Sequence, residues 1–399
     1  MKKCFFIQLL WCITAITPAS SQDLQRVHFD FYGDPIDLPF DSATFVDYND
    51  SLTEQSVQTF YEKIKNSHFE PVITSLLQAR KQYKLDDWLY YQLIRKAAQS
   101  ISPKANNYHR YTLYKWYFLC NSGYDAIVTI RGDKILFYVQ SDELIYNIPF
   151  RVKNGKQYVC LNYHDYGSVD FSQSFSEVNI SIPGAKNAFS YKVTKLPEFT
   201  SADYLEKDIQ FDYNENEYHF KLKLNPQIKT IFANYPVVDY ATYFNIPLSA
   251  ATYSSLVPSL KKDVRGLSVK QGVDYLMHFT RYAFLYKPDI EVFGQEKRLT
   301  PEQTLLYDNS DCEDRAGLFF YLVKEIYNLP MVVVEYATHV SIAVKFDKPY
   351  GSTITYNGIQ YSICEPTSQG QDLRIGQAVP ALRHTAFYIP YVYTPQSKK

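Results

Sequence analysis

The feature that most constrains this 399-residue chain is that it repeats itself. Val27-His28-Phe29-Asp30-Phe31-Tyr32 is matched by Ile209-Gln210-Phe211-Asp212-Tyr213, and each stretch runs through a polar turn into a second alternating apolar run. Such alternation on both sides of a turn marks a β-hairpin. Farther along, Trp116-Tyr117-Phe118-Leu119 through Ile135–Val139 parallels Phe320-Tyr321-Leu322-Val323 through Val340–Val344, and Gly155-Lys156-Gln157-Tyr158 parallels Gly358-Ile359-Gln360-Tyr361. The displacement is 182 positions at the hairpins (27 to 209) and 205 at the later match (134 to 339). A repeat in which the order of all matches is kept implies two similar units, 22–205 and 206–399.

Between hairpin and later match, residues 53–66, 69–101 and 240–285 carry apolar residues at helical spacing, as in Leu89, Leu93, Ala97 and Ile101. Each half therefore reads as hairpin, helices, one long helix and a three-strand meander. With helices grouped before strands, the class is α+β, helices packed on antiparallel sheets.

Residues 1–21 read as a secretion signal: Lys2 and Lys3, an apolar run from Phe5 to Ile16, and Ala19-Ser20-Ser21 before a cleavage point at Gln22. That run is shorter than the roughly 20 residues a membrane span needs. The expectation is an exported protein, periplasmic or secreted, with no transmembrane segment. Cys120, Cys160, Cys312 and Cys364 lie beyond the signal. A chain of this length buries its own core without disulfide staples, although a Cys120–Cys160 bridge stays open. A net charge of −1 gives no global attraction to nucleic acid.

The chemistry-bearing residues sit in the second half. Asn309-Ser310-Asp311-Cys312-Glu313-Asp314-Arg315-Ala316 opens a helix whose buried stripe is Ala316, Phe319, Leu322, Val323 and Ile326. Ser310 and Glu313 form a capping-box spacing, which places Cys312 in the first turn, where free N–H groups favour a thiolate. The flanking acids oppose that effect, so a positive partner is required. His339, between two strand-like runs, can be that partner, and Glu365 at the end of Tyr361–Cys364 can orient it. Cys364 alternates away from Glu365 and reads as core. No zinc pattern, phosphate loop or Gly-x-Ser-x-Gly elbow is present, so neither metal nor cofactor is expected. Asp212–Asn216 imitates the start of a calcium loop but carries Lys223 where the bidentate acid belongs, and reads as a hairpin turn.

Asp311-Cys312-Glu313-Asp314-Arg315-Ala316, then Thr338-His339-Val340, then Cys364-Glu365-Pro366-Thr367 resembles the transglutaminase-like superfamily, the papain-related fold with a helix-start Cys, a strand His and a strand-end Asp-Pro-Thr. The resemblance covers about residues 240–370. It implies Cys312 as nucleophile, His339 as base and Glu365 as orienting acid, acting on a protein, peptide or cell-wall peptide amide by hydrolysis or acyl transfer through a thioester. The departure is Glu for Asp at 365, one methylene or about 1 Å longer. At the matching positions of the first half stand Asn107, Lys134 and Asn162, none able to do the corresponding job, so that half reads as a degenerate copy. A non-catalytic binding or scaffold protein of the same fold is the alternative.

Residues 288–309 have no counterpart in the first half and carry Phe293, Arg298, Leu305, Leu306 and Tyr307. The expectation is a loop walling the substrate cleft with Tyr307 nearest the sulfur; the alternative is a surface loop packed on the helix below.

Overall fold

The hairpins begin with turns that bend the chain through positive φ, at Tyr32 (57°) and Gly33 (103°) in the first half and at Asn214 (49°) and Glu215 (64°) in the second. Two consecutive left-handed residues give the twist that antiparallel strands need. The computed structural model describes residues 26–294, 296–367 and 370–395; the stretch read as a secretion signal lies outside the described residues. The first half runs β1 (Arg26–Phe31), β2 (Asp34–Pro39), α1 (Glu54–Lys65), α2 (Glu70–Tyr83), α3 (Asp87–Ile101), α4 (Tyr108–Asn121), β3 (Ala126–Arg131), β4 (Lys134–Gln140), β5 (Ile145–Tyr146), β6 (Phe150–Lys153), β7 (Lys156–Cys160) and β8 (Ser176–Glu177). The second half opens with β9 (Leu205–Tyr213), β10 (Asn216–Leu224), α5 (Gln227–Ile231), β11 (Val237–Val238), α6 (Tyr240–Tyr243), α7 (Ala250–Asp263) and α8 (Val269–Tyr282). It continues with β12 (Leu285–Tyr286), α9 (Asp289–Phe293), α10 (Pro301–Leu306), β13 (Asn309–Ser310), α11 (Cys312–Tyr327), β14 (Met331–Tyr336), β15 (His339–Val344), β16 (Thr353–Tyr356), β17 (Ile359–Cys364) and β18 (Phe387–Tyr393). The architecture is mixed α/β.

Each half holds a hairpin and a five-stranded sheet, and the two sheets have the same strand order: β6-β7-β4-β3-β8 and β16-β17-β15-β14-β18. Register agrees as well as order. Phe31 faces Asp34 as Tyr213 faces Asn216, both strands displaced by 182. Arg131 faces Lys134 as Tyr336 faces His339, displaced by 205. Phe150 faces Val159 as Thr353 faces Ser362, displaced by 203. Because a slip of one residue would turn every side chain to the other face, agreement at each ladder means the same residues of both halves point inward. The expected three-strand meander is thus too small: a last strand from far along the chain, β8 or β18, adds beside β3 or β14 and leaves five strands.

The long helical stretches are also divided. Lys84, left-handed at φ 53°, ends α2, and Asp86 caps α3 by accepting from Leu89 N–H. Ser268 with Gln271 forms the capping box that starts α8 after a turn at Gly266. Gly272 of α8 lets α11 approach closely, since a Cβ there would lie 1.6 Å from the Tyr327 hydroxyl oxygen.

The halves share one hydrophobic core that includes Trp88, Tyr191 and Phe232. The Trp88 indole donates to Ile231 O across the boundary at 3.0 Å, and β5 pairs with β11. All four described cysteines are free and buried, with no bridge between Cys120 and Cys160; Cys364 lies in the core. No helix among the described residues is long and apolar enough to cross a membrane.

Candidate active site

Cys312 is the first residue of α11, and the cap before it is Asp311. Asp311 Oδ1 accepts from Asp314 N–H at 3.2 Å, and Asp314 Oδ2 accepts from Asp311 N–H at 3.3 Å. The expected cap, Ser310, is otherwise engaged: it lies in β13 opposite Tyr286, and its hydroxyl accepts from Arg315 Nε at 3.0 Å. Both Ser and Asp are good caps; the β12–β13 pairing decides between them.

His339 opens β15 opposite Tyr336, and Glu365 directly follows β17. β15 and β17 are neighbours, so the two side chains meet: His339 Nε2 lies 2.9 Å from Glu365 Oε2. Ser341 Oγ donates to the same oxygen at 2.7 Å, and Thr367 N–H donates to Oε1 at 3.0 Å. Burial alone would raise the pKa of Glu365, but the hydrogen bond and charge of His339, with Ser341 and Thr367, bring it below the ordinary value. Burial would lower that of His339; Glu365 and, farther off, Glu313 raise it instead. Both shifts favour the charged forms of the pair, and Nδ1 is the imidazole nitrogen not engaged by Glu365.

Cys312 is 8 % exposed. The backbone N–H of Val340, the residue after His339, bears on its sulfur, so the start of β15 lies near the start of α11. The thiol's own hydrogen bond goes to Glu313 Oε2 at 2.8 Å and not to the imidazole. Burial, then the charges of Glu313 and Asp311, push the thiol pKa well above its usual value, against the Val340 N–H. The helix-start stabilisation expected from sequence is thus overridden by burial and by neighbouring carboxylates.

Sequence reasoning missed three participants. Tyr286, half exposed at the end of β12, has its phenol coupled electrostatically to Cys312. Arg315 is fully buried and donates to Ser310 Oγ, Arg281 O, Thr367 O and Phe284 O, binding together the segments before Cys312, after α8 and after Glu365. Arg281, also fully buried, donates to Glu365 O and Leu373 O and pairs with Asp372 at 3.0 Å. Their i+3 to i+5 neighbours carry no hint of these distant carbonyl partners.

The stretch 288–309 is not a bare loop. It contains α9 and α10, the latter opened by a Thr300–Gln303 capping box. Leu299 and Leu305 are buried, Glu302 accepts from Ser249 and Thr252, and Leu299 N–H donates to Asp314 Oδ1 at 2.7 Å. Tyr307 packs on Phe293 at 5.3 Å and under Lys229 at 4.2 Å. Ile290, Gly294, Glu296, Lys297 and Arg298 line a cleft of about 1210 Å³ between the halves, which Cys312, His339 and Glu365 do not line.

Carboxylates crowd the helix start. Oxygens of Asp289, Glu296 and Asp311 lie within 4.8 Å of one another, as do ligand atoms of Asp311, Cys312 and Glu313. Asp311 is used as a cap, and Asp289 accepts from Lys297 N–H at 2.8 Å. Burial and mutual repulsion raise Asp289 to about 7 and Asp311 to about 8. No protein-family model matches this sequence, and no curated protein is similar enough to count as a relative.

Proposed function

We propose that the chain is an exported cysteine enzyme of transglutaminase-like kind that cleaves an amide or transfers its acyl group. The observation that carries this reading is the buried His339–Glu365 pair, set at the start of β15 beside the helix start that carries Cys312. In the reaction, the thiol proton passes to His339 and sulfur attacks the amide carbon. His339 then protonates the departing amine as the C–N bond breaks, leaving a thioester that water or a second amine resolves. The Val340 N–H and the Tyr286 phenol, both of which bear electrostatically on the sulfur, are the candidate donors to an oxyanion.

The two halves are duplicates of one module, a reading supported by the shared strand order and register. In the first half the corresponding positions do structural work. Asn107 caps α4 by accepting from Arg110 N–H at 2.9 Å. Asn162 accepts from Phe137 N–H at 2.7 Å and donates to Ile135 O and Tyr108 Oη. Lys134 replaces the imidazole. One observation favours a non-catalytic scaffold instead: the sulfur bonds a carboxylate, not the imidazole.

Alkylation of Cys312 by iodoacetamide, read by peptide mapping across pH 5–10, separates the readings. In an enzyme, replacing His339→Ala shifts the reactivity profile to higher pH and slows labelling at pH 7 by about tenfold, because the imidazolium favours the thiolate. In a scaffold the two profiles coincide.

A further inference from the structure

Glu313 occupies an unusual position. It is half-buried in the first turn of α11, accepts the Cys312 thiol at 2.8 Å, and bears electrostatically on His339. No lysine, arginine or histidine is in ion-pair contact with it among the described residues. Negative groups face it from more than one element. Asp311 comes from its own helix start and Asp289 from α9. The nearby cations are committed elsewhere. Arg298 donates to Val238 O at 3.0 Å and Tyr240 Oη at 3.1 Å while its guanidinium stacks on the Tyr240 ring. The Arg315 guanidinium is spent on four neutral oxygens, and the Lys297 ammonium lies 5.0 Å over the Phe293 ring.

An unpaired carboxylate bonded to the nucleophile has two effects. It keeps the proton on sulfur, since a thiolate beside it would place two negative charges together. It also offers a carboxylate with no ion-pair partner among the described residues, next to the sulfur. We propose that Glu313 is a specificity-determining group that reserves Cys312 for substrates bearing a cation, a lysine or arginine side chain or a free amino terminus, beside the reacting amide. The substrate's ammonium or guanidinium pairs with Glu313, the carboxylate leaves the thiol, and the thiol proton passes to His339 as sulfur attacks. Substrates without the cation meet a protonated, unready nucleophile. This inference rests on the acyl-transfer reading above and adds its substrate class.

The test uses three methanethiosulfonates of equal leaving group, with trimethylammonioethyl, methyl and sulfonatoethyl tails, on the full chain at pH 7. Rates at Cys312 are read by peptide mapping and normalised to a free thiol. The wild type is expected to prefer the cationic over the anionic reagent by at least about tenfold, the effect of one close, partly shielded charge. Glu313→Gln is expected to bring that ratio within about threefold and to raise the rate with the neutral reagent about tenfold. Glu313→Asp keeps the cationic preference, and Glu296→Gln, whose carboxylate neighbours Asp289 and Asp311 rather than the sulfur, keeps most of it. An unchanged charge ratio in Glu313→Gln overturns the inference. If Glu313→Gln behaves as expected but His339→Ala leaves the neutral-reagent rate unaltered, the charge gate stands and the acyl-transfer reading falls.

Discussion

Substituting His339→Ala is expected to lower turnover of an acyl p-nitroanilide by about 10³-fold or more, with Cys312→Ala at least as damaging and the double variant no worse than either. The magnitude follows from what the imidazole does. On the proposed mechanism Cys312, whose thiolate Glu313 and Asp311 both resist, gives its proton to His339. The same ring must then protonate the leaving amine, and its loss damages both halves of the reaction. Glu365 holds that ring by Nε2 and is itself fixed by Ser341 and Thr367. Glu365→Gln keeps a hydrogen bond but removes the charge, and is expected to fall between wild type and His339→Ala. Steady-state rates of the three single variants and the double variant check this. Additive losses from Cys312 and His339 would mean that the two do not act as a unit.

The largest effect on stability is expected from Arg315→Leu, a loss of about 3–5 kcal/mol, as for removing one partner from a buried polar network. At roughly 2–4 °C per kcal/mol for a unit of this size, the melting temperature should fall by about 10 °C. Arg315 donates four hydrogen bonds at 2.8 to 3.2 Å to oxygens of three separate segments. Truncation leaves Arg281, Thr367 and Phe284 carbonyls buried without that donor, each costing about 1–3 kcal/mol unless water enters. Arg315→Lys should recover little, because a single ammonium cannot span the fork. Thermal unfolding by circular dichroism is the check, and a shift under about 3 °C would show that the segments hold one another without it.

Much of the layout was legible in the sequence because it is encoded locally. The hairpin turns, the strand beginning at His339 and the helix beginning near Cys312 each follow from periodicity and nearby cap residues. The ordered matches between halves carried long-range information too, since a match in sequence at displacements of 182 and 205 became a match in strand register. What local reading missed depends on contacts across the fold. Asp311 rather than Ser310 caps α11 because β12 and Arg315 occupy Ser310. The 288–309 stretch is packed, not open, because Asp314, Ser249 and Thr252 anchor it. Its Thr300-Pro301-x-Gln303 start was a readable helix signal. Tyr286 was hidden for another reason: nothing in its neighbourhood in sequence pairs it with Ser310, just before Cys312, 24 residues later (286 to 310).

The central claim is that Cys312 becomes acylated with the help of His339. Intact-mass and peptide analysis of protein quenched during turnover of a p-nitrophenyl acyl ester measures this directly. The account predicts one hydroxylamine-labile acyl group on Cys312, absent in Cys312→Ala and accumulating at least tenfold more slowly in His339→Ala. Acylation elsewhere in the chain, no covalent species at all, or equal accumulation with and without His339 would contradict it.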